Sequence, residues 1–131
     1  MSLDVGVFTK YVCYIIIMSQ AVWIQVGTIY QRYGRRNTFI VWEILGEDSI
    51  FGCTVYSLNP PSINTTSGSS ESLSSHSGLK IVHRMSLEDM ITGLVNGRIE
   101  DEITTPVSES AIEALRERYD ASSFEFTIPI S

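Results

Sequence analysis

Three short runs rich in β-branched and aromatic residues constrain the fold of this chain more than any other feature of its sequence. They span residues 22–33, 38–45 and 50–58. Between them lie glycine, asparagine and aspartate, which tolerate the backbone angles of tight turns. Gly27 interrupts the first run and indicates a bend or a bulge. The pattern predicts three consecutive antiparallel strands, arranged as a β-meander or a small barrel.

Two amphipathic segments in the last third of the chain predict helices. The first follows Ser86, a suitable N-cap, and ends at Asn96 and Gly97, which favour the left-handed conformation of a helix end. The second is entered at Ser108 or Ser110. Ser110 makes the stronger capping box, because a glutamate follows three positions later. We therefore expect two helices near the C-terminus.

Two further segments have the alternating pattern of strands. Residues 79–85 are expected to form a hairpin with the third run, and 124–130 place apolar residues at every second position. Pro129 lacks the backbone N–H of a central strand, so the last strand belongs at a sheet edge, where it is a natural dimer contact. At 131 residues the chain has the length of a single domain. The predicted class is α+β, with the meander or barrel, two C-terminal helices and a terminal edge strand.

Residues 59–78 differ in composition from the rest of the chain. They contain Pro60, Pro61 and eight serines, with few large apolar side chains. Such a composition is typical of a flexible loop, and a loop of this length is usually functional or disordered. We favour a disordered insertion. His76 lies in it without a partner nearby in sequence.

The most hydrophobic stretch of the sequence, residues 11–24, allows three interpretations. It is short for a transmembrane helix, and it lacks the charged start and small-residue cleavage site of a signal peptide. Its β-branched and aromatic residues favour a core strand. Because Met18 is a suitable start, residues 1–17 are interpreted as an upstream extension. We expect a cytoplasmic protein.

The two cysteines, Cys13 and Cys53, lie in apolar runs and are expected to be buried thiols. Their spacing supplies no zinc framework, and we expect no metal or cofactor. Catalytic motifs are missing too, since the sequence has no G-x-S-x-G turn and no phosphate-binding glycine loop. His83, on an apolar strand face, is expected to be a core or interface residue. The chain is therefore predicted not to be an enzyme.

The net charge of −6 argues against a long nucleic acid as partner, but the acidic residues are concentrated near the C-terminus. Residues 1–85 carry a net charge of +1, and 86–131 carry −7. Arginines, whose planar guanidinium binds phosphate in a bidentate manner, cluster with tyrosines at the first hairpin tip. The candidate ligand-binding residues are Tyr30, Arg32, Tyr33, Arg35 and Arg36, joined by Arg84, Arg98, Arg116 and Arg118 if the fold brings these close.

The layout of residues 22–99 is similar to that of small phage-encoded or bacterial SH3-like β-barrel proteins. The first two matching parts are a glycine-containing first strand at 26–30 and a basic turn at 35–37. The other two are an aromatic second strand at 39–42 and a closing strand that runs into a helix at 84–89. Such proteins include viral sponges of the anti-Thoeris class. The resemblance implies a protein that sequesters a nucleotide used in host immune signalling, of the cyclic ADP-ribose type.

Three hypotheses about function follow. The first is a non-catalytic binding protein for a small anionic, nucleotide-like ligand, carried by Arg35, Arg36 and the neighbouring tyrosines. The second is a protein-interaction or oligomerisation module that uses the apolar edge at 124–130, and a homo-oligomer is expected. The third is a membrane-anchored accessory protein, for which the sequence gives the least support.

Overall fold

Five antiparallel strands form the main sheet of the computed structural model, which describes residues 19–34, 36–76, 78–100 and 107–129. Their order across the sheet is β5-β4-β3-β2-β6. The strands are β2 (Thr28–Gln31), β3 (Thr38–Gly46), β4 (Ser49–Leu58), β5 (Pro61–Ser72) and β6 (Lys80–Arg84). Four of them follow one another along the chain, so this part is the predicted meander.

A two-stranded sheet and two helices complete the described fold. Strand β1 (Ser19–Gln25) pairs antiparallel with β7 (Ser123–Pro129), and the helices are α1 (Leu87–Glu100) and α2 (Glu109–Tyr119). The α+β class, with two helices near the C-terminus, is confirmed. Within the described ranges the strands form two open sheets and no closed barrel, so the meander is the alternative that the molecule adopts.

The main sheet lies between two apolar layers, because successive side chains of a strand point to opposite faces. Ile29 and its partner Ile40 face the helices, where they pack with Met90 and Leu115. Tyr30 and Val41 face the other way, towards the two-stranded sheet. There the apolar positions of β1 and β7, such as Ile24 and Phe124, cover them.

Gly27 divides the first predicted strand in two. It has a φ of +98°, and a Cβ atom there would lie 2.8 Å from the carbonyl oxygen of Met85. Its own N–H donates to Val41, and its carbonyl accepts from the N–H of Met85. The chain therefore leaves the β1–β7 sheet at this glycine and enters the main sheet, so 22–33 is not one continuous strand.

The prediction of a flexible loop over 59–78 is wrong for residues 61–72, which form β5. The strand pairs with β4 at both ends, over 61–64 and 69–72, with a register shift between them, and its one large apolar side chain, Ile63, is fully buried. Backbone hydrogen bonds supply the pairing, and they do not require apolar side chains. Serine content alone therefore does not predict disorder in this segment, because contacts with β4 and α1 hold the strand in place.

Because β5 occupies the free edge of β4, residues 79–85 do not form a hairpin with the third run. They form β6 instead, which pairs with β2. A register shift between Ile29 and Tyr30 interrupts the alternation of β6. His83 is exposed on this edge strand, so the core alternative predicted for it is wrong, while the interface alternative stays a prediction.

Both helices start close to the predicted positions, but one end and one cap differ. The N-cap of α2 is Ser108, whose hydroxyl accepts from the N–H of Ala111, and not Ser110. Helix α1 continues through Gly97 to residue 100. Gly97 permits close approach to β5 rather than ending the helix, since a Cβ atom there would overlap the carbonyl oxygen of Ile63.

The described part of the N-terminal apolar run is a strand, as its β-branched residues predict. Residues 19–24 belong to β1, whereas 11–18 lie outside the described residues. No helix in the described ranges is long and apolar enough to cross a bilayer.

Candidate functional site

The structure separates the residues that were predicted to share the first hairpin tip. Tyr33 is 82% exposed, and Arg36 is exposed too, whereas Tyr30 is completely buried. Tyr30 is therefore not available to stack on a ligand. Arg35 lies outside the described residues.

Tyr30 and Arg32 belong instead to a cluster centred on the carboxylate of Glu71. The Tyr30 hydroxyl donates to Glu71 Oε1, and a guanidinium nitrogen of Arg32 lies 3.3 Å from Oε2. Nε2 of His76 is 3.2 Å from the same Oε2. Burial, and then the hydrogen bond to Glu71, raise the pKa of Tyr30. This cluster ties β2 to the end of β5, and the Arg32 guanidinium packs 4.0 Å from the ring centre of Phe39.

A second carboxylate, Asp48, holds the short 3₁₀ turn Leu73–Ser75 that follows β5. The hydroxyls of Ser72 and Ser74 donate to Oδ2, and the N–H of Ser74 donates to Oδ1 at 2.8 Å. Burial by itself raises the pKa of Asp48, but these hydrogen bonds outweigh it and hold the pKa below its ordinary value. The two carboxylates fix the polar end of β5.

Two other predicted arginines make contacts within the fold. Arg84 donates to the carbonyls of Val26 and Tyr119 and pairs with Asp120 at 3.0 Å. Its guanidinium also lies 3.9 Å from the Tyr119 ring centre. Arg116 is exposed, and its Nε is 3.7 Å from Glu113. Neither is near a ligand site formed by the hairpin tip.

The remaining arginines of the predicted set, Arg98 and Arg118, meet in a groove of about 290 Å³. Helix α1 contributes Leu94 and Arg98, one turn apart on the same face. Helix α2 contributes residues spaced by three and four positions, which also share a face. The full lining consists of Trp42, Thr65, Leu94, Arg98, Ala111, Ala114 and Arg118. We call it the arginine groove.

Arg118 is held in position by β3. Its Nε donates to the carbonyl of Trp42 at 2.9 Å, and its guanidinium lies 5.4 Å from the Trp42 ring centre. Burial lowers the pKa of Arg118, and the nearby carboxylate of Glu43 opposes this effect. The side chain is thus a partly dehydrated cation beside an aromatic ring.

Arg98 has a buried Nε that finds no hydrogen-bond acceptor among the described residues. Arg98 and Arg118 also form no ion pair with a described carboxylate, whereas Arg32, Arg84 and Arg116 each have one. A buried polar donor without a partner is costly, and a cation more so. The arginine groove therefore offers the positive charge of two guanidiniums to an anion from solution.

Two other cavities between described residues have no arginine or lysine in their lining. One of about 290 Å³ beside β3 is lined partly by Glu47 and contains no cation. One of about 370 Å³ beside β7 is lined by Leu79, Phe126 and Ile128, with His76 at its edge. In the described residues, no three side chains of the metal-binding types come together.

Cys53 lies in the core beneath the helices, and burial raises its pKa to about 12, with Arg118 opposing the rise. At pH 8 the native thiol is therefore protonated far more completely than an ordinary cysteine, and the thiolate is the reactive form. In a Cys13→Ser variant, where Cys53 is the sole thiol, we expect native protein to react with iodoacetamide about a hundredfold more slowly than urea-unfolded protein. Equal rates at pH 8 would contradict the burial of Cys53. Cys13 itself lies outside the described residues.

Sequence reasoning included Arg98 and Arg118 but missed the other walls of the groove. Trp42 has the pattern of a core aromatic, and nothing in its local sequence marks it as a ligand contact. Thr65 was assigned to a flexible loop, although it lies on β5. The shared helix face of Ala111, Ala114 and Arg118 was a detectable signal, whereas the predicted helix end at Gly97 hid the face shared by Leu94 and Arg98.

The chain was also compared with known proteins. It matches no family model, no curated protein and no solved structure. The resemblance to SH3-like barrel proteins, and the viral sponge function that it implies, therefore stay predictions. What this protein does must be argued from the residues of the arginine groove.

Proposed function

We propose that this chain is a non-catalytic binding protein for a small anionic ligand, which it holds in the arginine groove. The observation that supports the proposal is the contrast among its arginines. Arg98 and Arg118 line one groove and form no ion pair with a described carboxylate, although Glu43 lies near Arg118, whereas Arg32, Arg84 and Arg116 each form one. An anion in the groove would form charge-assisted hydrogen bonds with the two guanidiniums.

The position of the groove favours a small ligand over a polymer. It lies between two helices that carry exposed acidic residues, among them Glu88, Glu109 and Glu113. A long polyanion would have to pass these carboxylates, and like charges repel it. A compact anion in the groove meets the two guanidiniums, Thr65 and the apolar walls. The groove volume is at the lower end of the ~300–1,000 Å³ typical of small-molecule sites.

The proposal is tested by ligand-induced thermal stabilisation with inorganic phosphate and AMP as probes. We expect at least one probe to raise the melting temperature, with about 2.7 kcal/mol of stabilisation at a hundredfold excess over its Kd. Arg98→Gln should abolish this effect, because it removes a cation from the groove. The matched control is Arg116→Gln, which removes an exposed arginine of α2 outside the groove and should keep the effect.

A double variant, Arg35→Ala with Arg36→Ala, separates the arginine groove from the hairpin tip. If the groove binds the anion, this double variant responds to the probe like the native chain. If the double variant loses the response and Arg98→Gln keeps it, the tip is the binding site and the proposal is wrong. It is equally wrong if neither probe stabilises the native chain.

A further inference from the structure

We infer that the anion held in the arginine groove carries a flat apolar ring, and that Trp42 is the surface against which this ring packs. The inference rests on the proposed function and specifies its ligand class: one phosphate or carboxylate group joined to one planar ring.

The groove is more apolar than a site for an inorganic ion needs to be. Four of the lining side chains are apolar, namely Trp42, Leu94, Ala111 and Ala114, and three are polar. Inorganic phosphate would satisfy the two guanidiniums and leave the apolar walls facing water. A ligand with a ring would also remove those walls from water, which is favourable.

Small side chains on α2 leave room for such a ring. Ala111 and Ala114 are one turn apart and lie on the same helix face as Arg118. Ala114 is exposed, although it borders the groove. Below them Leu115 is fully buried and fixes α2 on the sheet. A larger residue at 114 would thus fill the groove without disturbing the core.

Trp42 presents an aromatic surface next to the cation that would hold the anionic group. The Arg118 guanidinium lies 5.4 Å from its ring centre and is anchored through Nε to the carbonyl of the same residue. Guanidinium and indole are both flat groups on which a ring can stack. Ring and anionic group would therefore bind side by side, and the groove volume of about 290 Å³ fits one ring better than a dinucleotide.

The fluorescence of Trp42 also provides a way to measure ligand binding. The chain has two tryptophans, and Trp23 is 62% exposed on β1, so Trp23→Phe leaves Trp42 as the sole tryptophan of a folded protein. In this background we expect phenyl phosphate to change the Trp42 emission on binding. Inorganic phosphate should displace it only at concentrations at least tenfold higher. Benzyl alcohol, which has the ring without the charge, should not bind in the same range.

Ala114→Leu is the discriminating variant, because it fills the groove and keeps both arginines. We expect it to weaken phenyl phosphate binding at least tenfold while leaving the melting temperature of the free protein within a few degrees. Unchanged phenyl phosphate binding in Ala114→Leu, or equal affinities for phenyl phosphate and phosphate, would overturn the inference. In that case the proposed function would still stand, provided that Arg98→Gln abolished phosphate binding. If phenyl phosphate, inorganic phosphate and AMP all fail to bind, both the inference and the proposed function are wrong.

Discussion

Replacement of Gly97 by alanine is expected to lower the free energy of unfolding by about 2 kcal/mol. In an exposed helix interior the same change would stabilise by about 1 kcal/mol, because alanine favours the helix. Here the new Cβ atom would lie 1.6 Å from the carbonyl oxygen of Ile63, which belongs to the backbone of β5 and has no rotamer to change. Overpacking of this kind costs about 3 kcal/mol, so the clash outweighs the helix preference. Urea denaturation followed by circular dichroism measures the difference.

Gly93→Ala is the matched control for this experiment, one turn earlier on the same face of α1. A Cβ atom at Gly93 would meet Cδ1 of Ile63 at 2.7 Å, the far end of a side chain that can rotate. We expect Gly93→Ala to cost distinctly less than Gly97→Ala. If Gly97→Ala is as stable as the native chain, then α1 does not pack against β5 as described.

Glu71→Gln is expected to destabilise the protein by about 3 kcal/mol. The substitution keeps the size of the side chain but removes the charge that Arg32 and His76 face. The side chains of Arg32 and Glu71 are only 24% and 12% exposed, so water compensates little for the lost partner. Breaking one side of a buried ion pair costs ~3–5 kcal/mol, and the residual exposure of Arg32 places this case at the lower end.

The control for Glu71→Gln is Glu113→Gln, which removes the carboxylate of the exposed pair with Arg116. An exposed pair contributes little, so this variant should differ from the native chain by less than about 0.5 kcal/mol. Both variants are compared by urea denaturation at pH 7. A loss for Glu71→Gln no larger than that for Glu113→Gln would show that the cluster around Glu71 does not stabilise the fold.

The parts of the fold that local sequence controls were predictable. Strands β3 and β4 lie within a residue of the second and third apolar runs, because tight turns on either side set their ends. The helix starts after Ser86 and at Ser108 follow from capping. What could not be predicted depends on contacts distant in sequence. Gly97 has the sequence signature of a helix end. Only the packing of α1 against β5 shows that this glycine instead lets the helix approach the strand closely.

The candidate site was harder to predict than the fold, because an arginine's role depends on which carboxylate the fold places beside it. Arg32 appeared to be free for a ligand, but Glu71, far along the chain, neutralises it. Nothing in the sequence near Arg98 and Arg118 shows that they form no such ion pair, nor that the fold uses Arg84 to join β6 to α2. Only the packing of the two helices on the sheet distinguishes these arginines.

Strand β5 has a practical consequence for anyone who shortens this chain for expression or crystallisation. Its serine-rich composition makes it the obvious segment to delete. Deleting 61–72 would remove Thr65 from the arginine groove, Ile63 from the core and Glu71 from its cluster in one step. A trimmed protein would thus lose its candidate binding site and two of its supports, and its failure to bind an anion would say nothing about the native chain.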